Sequence, residues 1–478
     1  MFKALARWIN IYRLIVIIGF IIAVTLALVI PVRMIGASPW AYYYGIQNFA
    51  DGKLVVDDQL HEEQVNDAKQ QGGMLQQYFE IGDNQWALEK APGYVFYEIP
   101  FQKLGIPRWG NVFLALGMII VTYLLLKRLR DEKTAMIGSL LMLFTPVSLI
   151  MLNNAYMDSF ATLAFLVMGG GLYIIYHLER RNLSSLKGGL LLFSAFLLIS
   201  YSVFTRYTNF PVAAVFAVHY FIFRVIDLCK RNWNDWRMEI PAVILGVGLP
   251  VAALFIYNYV VFGSPWDYGY HYSKMPVSFA YQYLGEVNNQ GQSMFWQIVL
   301  DNLKNCPKPL LLGFPLLIIA IPGIIIVFYQ KFTHNHPESR WAGLRQELSW
   351  DIILILVGWF ISVFFLYLMY EFTAEYLNDG SSFIRFARFY LPGLFPIVVI
   401  CALVISRFRF KLYIPVLILA IIAGSMIYAQ YDLDSNSSSG SQSPGGTRNS
   451  QPAKGLYQGG PPSGGGKLMP QGTSQSGR

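Results

Sequence analysis

Asp158 opens an apolar run directly after Asn153-Asn154-Ala155-Tyr156-Met157. A carboxylate at such a boundary is costly unless it is solvated, paired or functional. Its ordinary structural role there is to cap a helix over 158–177, where free amides and the helix dipole favour an acid. Arg206 ends another apolar run, and Arg385 and Arg388 stand beside the start of a third, in Phe383-Ile384-Arg385-Phe386-Ala387-Arg388-Phe389. Guanidinium forks grip phosphate bidentately and keep their charge at any working pH. The three arginines therefore suit a lipid phosphate, or else snorkel individually to headgroups. Asp51, Asp57 with Asp58, and Glu89 beside Lys90 are acids of a long polar stretch. Any of them held over a reaction centre is a general-base candidate, and any that is not belongs to a solvated acidic loop. His61 and His271 have no metal-like spacing and receive no role, and Cys229, Cys306 and Cys401 offer neither a plausible pair nor a zinc pattern. The chain contains no Walker loop, HExxH or GxSxG motif.

These residues have to be positioned by a membrane bundle. The chain is 55% hydrophobic and 13% charged, whereas soluble domains are about 45–50% apolar and about a quarter charged. The expected fold is an all-α integral membrane protein. Apolar runs long enough to cross a bilayer are read at 14–32, 111–127, 134–152, 158–177, 187–205, 209–226, 240–262, 308–329, 350–370, 388–406 and 411–429, about eleven in all. Pro92-Gly93-Tyr94 to Leu104 is too short and is interrupted by Glu98 and Lys103, so it is read as an interfacial or re-entrant helix. Segments 1–13, 127–133, 177–187, 224–239, 330–351 and 407–411 hold 20 Lys/Arg against 9 Asp/Glu, and the rest of the chain holds 16 against 19. That asymmetry places the N-terminus inside a cytoplasmic membrane and the polar interval 34–110 outside. It also explains the net charge of +8 without a nucleic-acid partner.

The large first extracytoplasmic loop, 34–110, is expected to carry juxtamembrane helices, one of them amphipathic and surface-lying from Pro39 to Gly52. Residues 1–430 form the membrane domain. The Ser/Gly/Pro/Gln-rich stretch 431–478 reads as a disordered tail outside the membrane.

In order along the chain, five patterns resemble the GT-C class of membrane glycosyltransferases, of the protein mannosyltransferase and aminoarabinose transferase kind. They are the loop helix ending in Ala50-Asp51-Gly52-Lys53, Ala91-Pro92-Gly93-Tyr94 leading to Pro100-Phe101-Gln102-Lys103-Leu104-Gly105, Tyr156-Met157-Asp158 opening a span, Asn258 through Phe262-Gly263-Ser264-Pro265 to Asp267, and Arg388-Phe389-Tyr390-Leu391-Pro392. The resemblance implies transfer of a sugar from a polyprenyl-phosphate carrier to a glycan, lipid or protein acceptor at the outer face of the membrane. It casts Asp158, Asp51 and Asp57 as catalytic candidates. Arg206, Arg385, Arg388, Tyr43, Glu89, Lys90, Tyr94, Asn258 and Asp267 become contacts to substrate. Tyr42–Tyr44, Trp86 and the Tyr268–Tyr272 cluster offer faces for sugars, membrane lipids are neighbours, and a divalent cation is compatible without being indicated by ligand spacing.

One feature departs from the class. GT-C members usually carry an aspartate four or so residues before a tyrosine at the start of the first loop helix, and here Gly36-Ala37-Ser38-Pro39-Trp40-Ala41-Tyr42 has no acid. Either Asp51 or Asp57 substitutes, or Asp158 takes more of the work, or the chain is not conventionally catalytic. The rival functions are a transporter or flippase for a lipid-linked or small solute, and a non-catalytic envelope assembly protein. Lack of internal repeats and of charge deep within a span speaks against transport.

Overall fold

A computed structural model describes residues 10–32, 34, 37–229, 236–273, 279–288, 290–332, 347–371 and 383–408. The expected span at 411–429 and the tail 431–478 lie outside these residues.

The first helix, α1 (Ile11–Val29), leads into the polar interval. There α2 (Ala37–Ala50), β1 (Val55–Asp57), α3 (Asp58–Gln70), β2 (Tyr78–Gly82), β3 (Gln85–Leu88) and α4 (Gly93–Lys103) follow in turn. The bundle then continues with α5 (Trp109–Leu129), α6 (Glu132–Phe144), α7 (Pro146–Asn153), α8 (Asp158–Glu179), α9 (Ser185–Thr205), α10 (Phe210–Cys229) and α11 (Trp236–Phe262). Its last part is α12 (Met294–Asn305), α13 (Pro307–Gly313), α14 (Leu317–Phe332), α15 (Trp350–Leu368), α16 (Phe383–Tyr390) and α17 (Leu394–Ile405).

The protein is a mostly helical polytopic membrane protein. Among the described residues, eight helices are long and apolar enough to cross a membrane, and up to ten spans result if each of two bent pairs is one span. The bends have a covalent cause. Pro146 begins α7 after α6, with 59° between them, and Pro315 falls in the break between α13 and α14, where the angle is 96°. Both pairs fall on expected spans, 134–152 and 308–329. The Pro92–Leu104 segment forms an 11-residue helix, α4, too short to span. Helix α8 and the span Ala387–Ile405 are almost wholly buried and form the centre. By contrast, Ile18 and Ile21 on α1, Ile244 and Ile256 on α11, and Ile321 and Ile325 on α14 are exposed, as lipid-facing residues are.

The polar interval corrects two expectations. The fold is not purely α: β1, β3 and β2 make a three-stranded antiparallel sheet in that order, with Val55 opposite Ala87 and Tyr78 opposite Leu88. The β2–β3 hairpin turns at Asp83 and Asn84, both at positive φ (51° and 57°), the two-residue turn that suits the twist of paired strands. Nor does the helix expected from Pro39 to Gly52 lie on the surface. In α2, Trp40, Tyr42, Tyr44, Ile46 and Phe49 are all buried, since its aromatics are spread around the helix rather than confined to one stripe.

Acids of this interval build it. Asp57 caps α3, accepting from Leu60 N at 2.9 Å, and Asp58 accepts from Trp86 Nε1 at 2.6 Å. Asp67 accepts from the Tyr44 hydroxyl at 2.6 Å, tying α3 to α2. The interval is fastened to the bundle through the free carbonyls at the end of α1. Arg108 donates to Leu28 O (2.7 Å), Ala27 O (2.9 Å) and Ile30 O, and Asn153 Nδ2 donates to Ala27 O and Ile30 O at 2.8 Å.

Glu98 on α4 is fully buried against Gly110, and neither carboxylate oxygen has a hydrogen-bond partner among the described residues. Burial pushes its pKa up from 4.5 to about 9. Below pH 4.5 the proton is held in both folded and unfolded chains, and the stability due to the neutral buried acid is fully present. As pH rises, the unfolded chain releases its proton first, so stability is lost until pH passes about 9. The unfolding midpoint of purified protein is expected to fall across that window. Glu98→Gln should flatten the decline; an unchanged slope in the variant would assign it to other groups.

Candidate functional site

Several pieces of chain meet at the loop end of the bundle: the start of α2, the Glu89–Ala91 link before α4, the 268–270 loop, residues 279–282, the start of α8, the ends of α9 and α15, and α16. Two glycines permit the approach. A Cβ on Gly93 would sit 2.6 Å from Phe204 C and 2.7 Å from Thr205 N, so only glycine lets α4 start against the end of α9. Tyr201 seals that contact by donating to Gly93 O at 2.9 Å. A Cβ on Gly269 would lie 2.5 Å from Glu89 Cα, so only glycine lets the loop carrying Tyr268 and Tyr270 settle on Glu89 and Lys90.

Between them is a cavity of about 310 Å³, whose lining includes Ser38, Tyr42, Lys90, Asp158, Arg206 and Arg388 with a ring of aromatics. Asp158 lies in the first turn of α8, while the N-cap position is Met157 and makes no side-chain cap bond. The capping role is thus not the one Asp158 fills. Its Oδ2 faces Arg206 Nε at 3.8 Å, with side chains only 12% and 16% exposed. Arg206 lies over the rings of Tyr367 (5.8 Å) and Phe389 (5.4 Å), and its Nη1 is buried with no hydrogen-bond partner among the described residues.

Lys90 pairs with Glu89 Oε2 at 3.2 Å and lies 5.2 Å from the centre of the Tyr270 ring. Burial works against its charge, but Tyr270, Glu89, Tyr370 and Asp158 together outweigh it and the pKa is raised, so the ammonium persists. Arg388 directs Nη1 at Met157 Sδ, 3.7 Å away. Tyr42 is buried, and that burial, followed by the charge of Asp158, pushes its phenol pKa well up. It remains a neutral donor.

The other expected residues are distributed as follows. Tyr94 is buried below the cavity and braces the turn before α8 by donating to Ala155 O at 2.6 Å. Tyr43 packs edge-on against Tyr156, with centroids 5.1 Å apart. Asn258 is buried and donates to Pro265 O at 3.1 Å, fixing the turn after α11. Asp267 pairs with His271 at 3.2 Å, and Asp51 is exposed at the end of α2. Arg385 falls on α16, with its side chain outside the described set. None of these five described side chains lines the cavity, and neither does Asp57. Residues not anticipated as site members include Ser38, Gln77, Thr208 and Tyr367, with Thr208 Oγ1 2.8 Å from the Tyr367 hydroxyl. Tyr367 sits within an apolar run and reads in sequence as ordinary core.

A separate group of metal-ligand types, His177, His219 and Asp351, has one ligand atom from each within 4.8 Å of the others. It lies at the far end of the bundle.

No protein-family model and no curated protein matches the chain. Solved structures do match in fold over most of it. The archaeal oligosaccharyltransferase AglB from Archaeoglobus fulgidus, in complex with an inhibitory peptide and a dolichol-phosphate, is 14% identical with a TM-score of 0.49 over 90% of this chain. The chain spans only 56% of the length of AglB. ArnT from Cupriavidus metallidurans in the apo state is 11% identical, with a TM-score of 0.36 over 84% of this chain and 78% of its own. ArnT bound to undecaprenyl phosphate matches at 10% identity, with a TM-score of 0.33 over 84% of this chain and 77% of its own. These are GT-C glycosyltransferases. At such scores the likeness carries no argument about activity, which has to come from the cavity.

Gly269→Ala is expected to cost about 1–3 kcal/mol through overpacking on Glu89, seen as a lowered unfolding midpoint in detergent. Gly248→Ala, whose added methyl meets nothing within 4 Å, should leave the midpoint unchanged or raise it. Equal effects would show that the loop does not rest on Glu89.

Proposed function

We propose that the chain is a membrane glycosyltransferase that takes a sugar from a polyprenyl-phosphate carrier at the outer face of the cytoplasmic membrane. The observation that carries this reading is the lining of one cavity: among the described residues, three basic side chains, Lys90, Arg206 and Arg388, and one carboxylate, Asp158, stand among tyrosines. Guanidinium and ammonium groups gathered around one cavity suit an anion, and a lipid phosphate is the anion a bilayer delivers there. Arg206 Nη1, buried without a partner, supplies a donor already aimed and desolvated. Preorganised donors of this kind stabilise charge that develops on a leaving group.

In the proposed reaction the bond between the sugar's anomeric carbon and the phosphate oxygen breaks through an oxocarbenium-like transition state. The phosphate departs onto Arg206, Lys90 and Arg388. A new bond forms from the anomeric carbon to an acceptor hydroxyl or amide, whose proton passes to Asp158. Tyr268 and Tyr270 offer faces for the sugar ring. Ser38 and Tyr42 line the cavity four residues apart on α2, where GT-C members carry an aspartate before a tyrosine. With serine in that place, Asp158 is the one carboxylate among the described lining residues. Were a divalent cation to bind in this cavity, Asp158 would hold it, and it would neutralise charge on the departing phosphate. In this reading 34–110 is extracytoplasmic, and the acceptor is a glycan, lipid or protein.

A carrier for a lipid-linked solute is the second reading, favoured by the two bent helix pairs. Proteoliposomes supplied with polyprenyl-phosphate sugars and a membrane extract distinguish the two. Catalysis predicts donor-dependent modification of an acceptor, with Asp158→Asn and Arg206→Ala each lowering turnover about 100-fold or more while the protein stays monodisperse. Lipid or solute movement without a sugar donor, or full turnover in Asp158→Asn, would overturn the proposal.

A further inference from the structure

At the end of the bundle away from the cavity, three helices bring together His177 near the end of α8, His219 in α10 and Asp351 in the first turn of α15, with one ligand atom of each inside a 4.8 Å group. His177 Nε2 makes a very close contact with Asp351 Oδ2. His219 is only 8% exposed, and its Nδ1 lies 2.7 Å from the Tyr173 hydroxyl. Its Nε2 is buried with no hydrogen-bond partner among the described residues.

A buried imidazole with one nitrogen held by an outer partner and the other left bare is the arrangement of a metal-ligating histidine, in which the second-shell contact fixes the tautomer and orients the ring. From these observations we infer that His177, His219 and Asp351 form a binding site for a divalent late transition metal, zinc by the character of its donors. Two imidazoles and one carboxylate suit zinc, with bonds of about 2.0–2.2 Å. Tetrahedral bonds of that length put ligand atoms roughly 3.3 Å apart, a separation inside the 4.8 Å extent of the group. A water or hydroxide completes the fourth position.

The neighbouring charges leave room for the ion. Arg180 is paired with Asp227 at 3.1 Å, and Arg224 contacts both Asp227 and Glu239. Phe223 closes the group, with its ring centroid 4.7 Å from that of His177 and 4.5 Å from that of His219.

The site would act as a clamp. The helices it joins are those whose opposite ends reach the cavity: α8 brings Asp158, α10 follows Tyr207 and Thr208, and α15 brings Tyr367. The 19 residues from Asp158 to His177 put roughly 30 Å of helix between clamp and cavity.

Full-length protein stripped with a chelator and dialysed against zinc chloride, then washed and analysed by plasma mass spectrometry, tests the inference. One zinc per chain is expected, with a rise of several degrees in the unfolding midpoint on adding zinc. His219→Ala keeps the His177–Asp351 contact but should lose both the retained zinc and the zinc-dependent rise. His271→Ala, at an exposed histidine, should keep both. Because the readout is the change on adding zinc, a lower starting midpoint in the variant does not obscure it. Absence of retained zinc in the wild type, or an equal zinc-dependent rise in His219→Ala, would overturn the site.

Discussion

The structure depends on keeping positive charge on side chains that are largely withdrawn from solvent. Lys90 and Arg206 sit in a cavity walled by aromatic rings at the edge of an apolar bundle, where desolvating a cation is expensive. The compensations are all local. Glu89 holds Lys90 at 3.2 Å, Tyr270 presents its ring, Asp158 faces Arg206 at 3.8 Å, and Tyr367 and Phe389 lie beneath the guanidinium. Each compensation comes from a different part of the chain, so the cavity exists only when loop and bundle are assembled. Gly93 and Gly269 are the places where that assembly is tightest.

This constraint gives the polar interval its architecture. An interval that merely connected two spans would have no reason to bury Trp40, Tyr42 and Tyr44 or to fold a sheet. Here α2 is packed inward by the sheet and by α3, so that Ser38 and Tyr42 reach the cavity. The acids that look reactive in sequence mostly serve this packing: Asp57 caps a helix, Asp58 takes the Trp86 indole, and Asp67 takes the Tyr44 hydroxyl. Among the described residues that line the cavity, the carboxylate is Asp158, and it belongs to the bundle.

The helical framework was legible because a bilayer imposes length and apolarity on each span. Ten of the expected runs correspond to single helices or to bent pairs, and α4 could be set aside as too short to cross. The sheet was not legible, since strands of three to five residues carry little periodicity, although the Asp83-Asn84 turn was a readable signal. Charged cavity residues stood out against the apolar background, as Asp158, Arg206, Arg388 and Lys90 did. Tyr367 and Ser38 did not, because an aromatic in an apolar run and a serine near a helix start look the same in a site as in a core. The burial of α2 was missed for the same reason. Aromatic residues with polar tips suit a membrane surface and a packed interface equally well, and only the tertiary partners decide.

The central claim is that the cavity receives a lipid phosphate on Lys90, Arg206 and Arg388. The most direct measurement is crosslinking in nanodiscs with a polyprenyl monophosphate that carries a photoreactive group beside its phosphate, with the labelled peptides mapped by mass spectrometry. The account predicts labels on the segments bearing Lys90, Asp158, Arg206 and Tyr367, competed by unlabelled polyprenyl phosphate but not by neutral polyprenol, and lost in Arg206→Ala. Labels confined to the lipid-facing helices, competed equally by polyprenol, would contradict it.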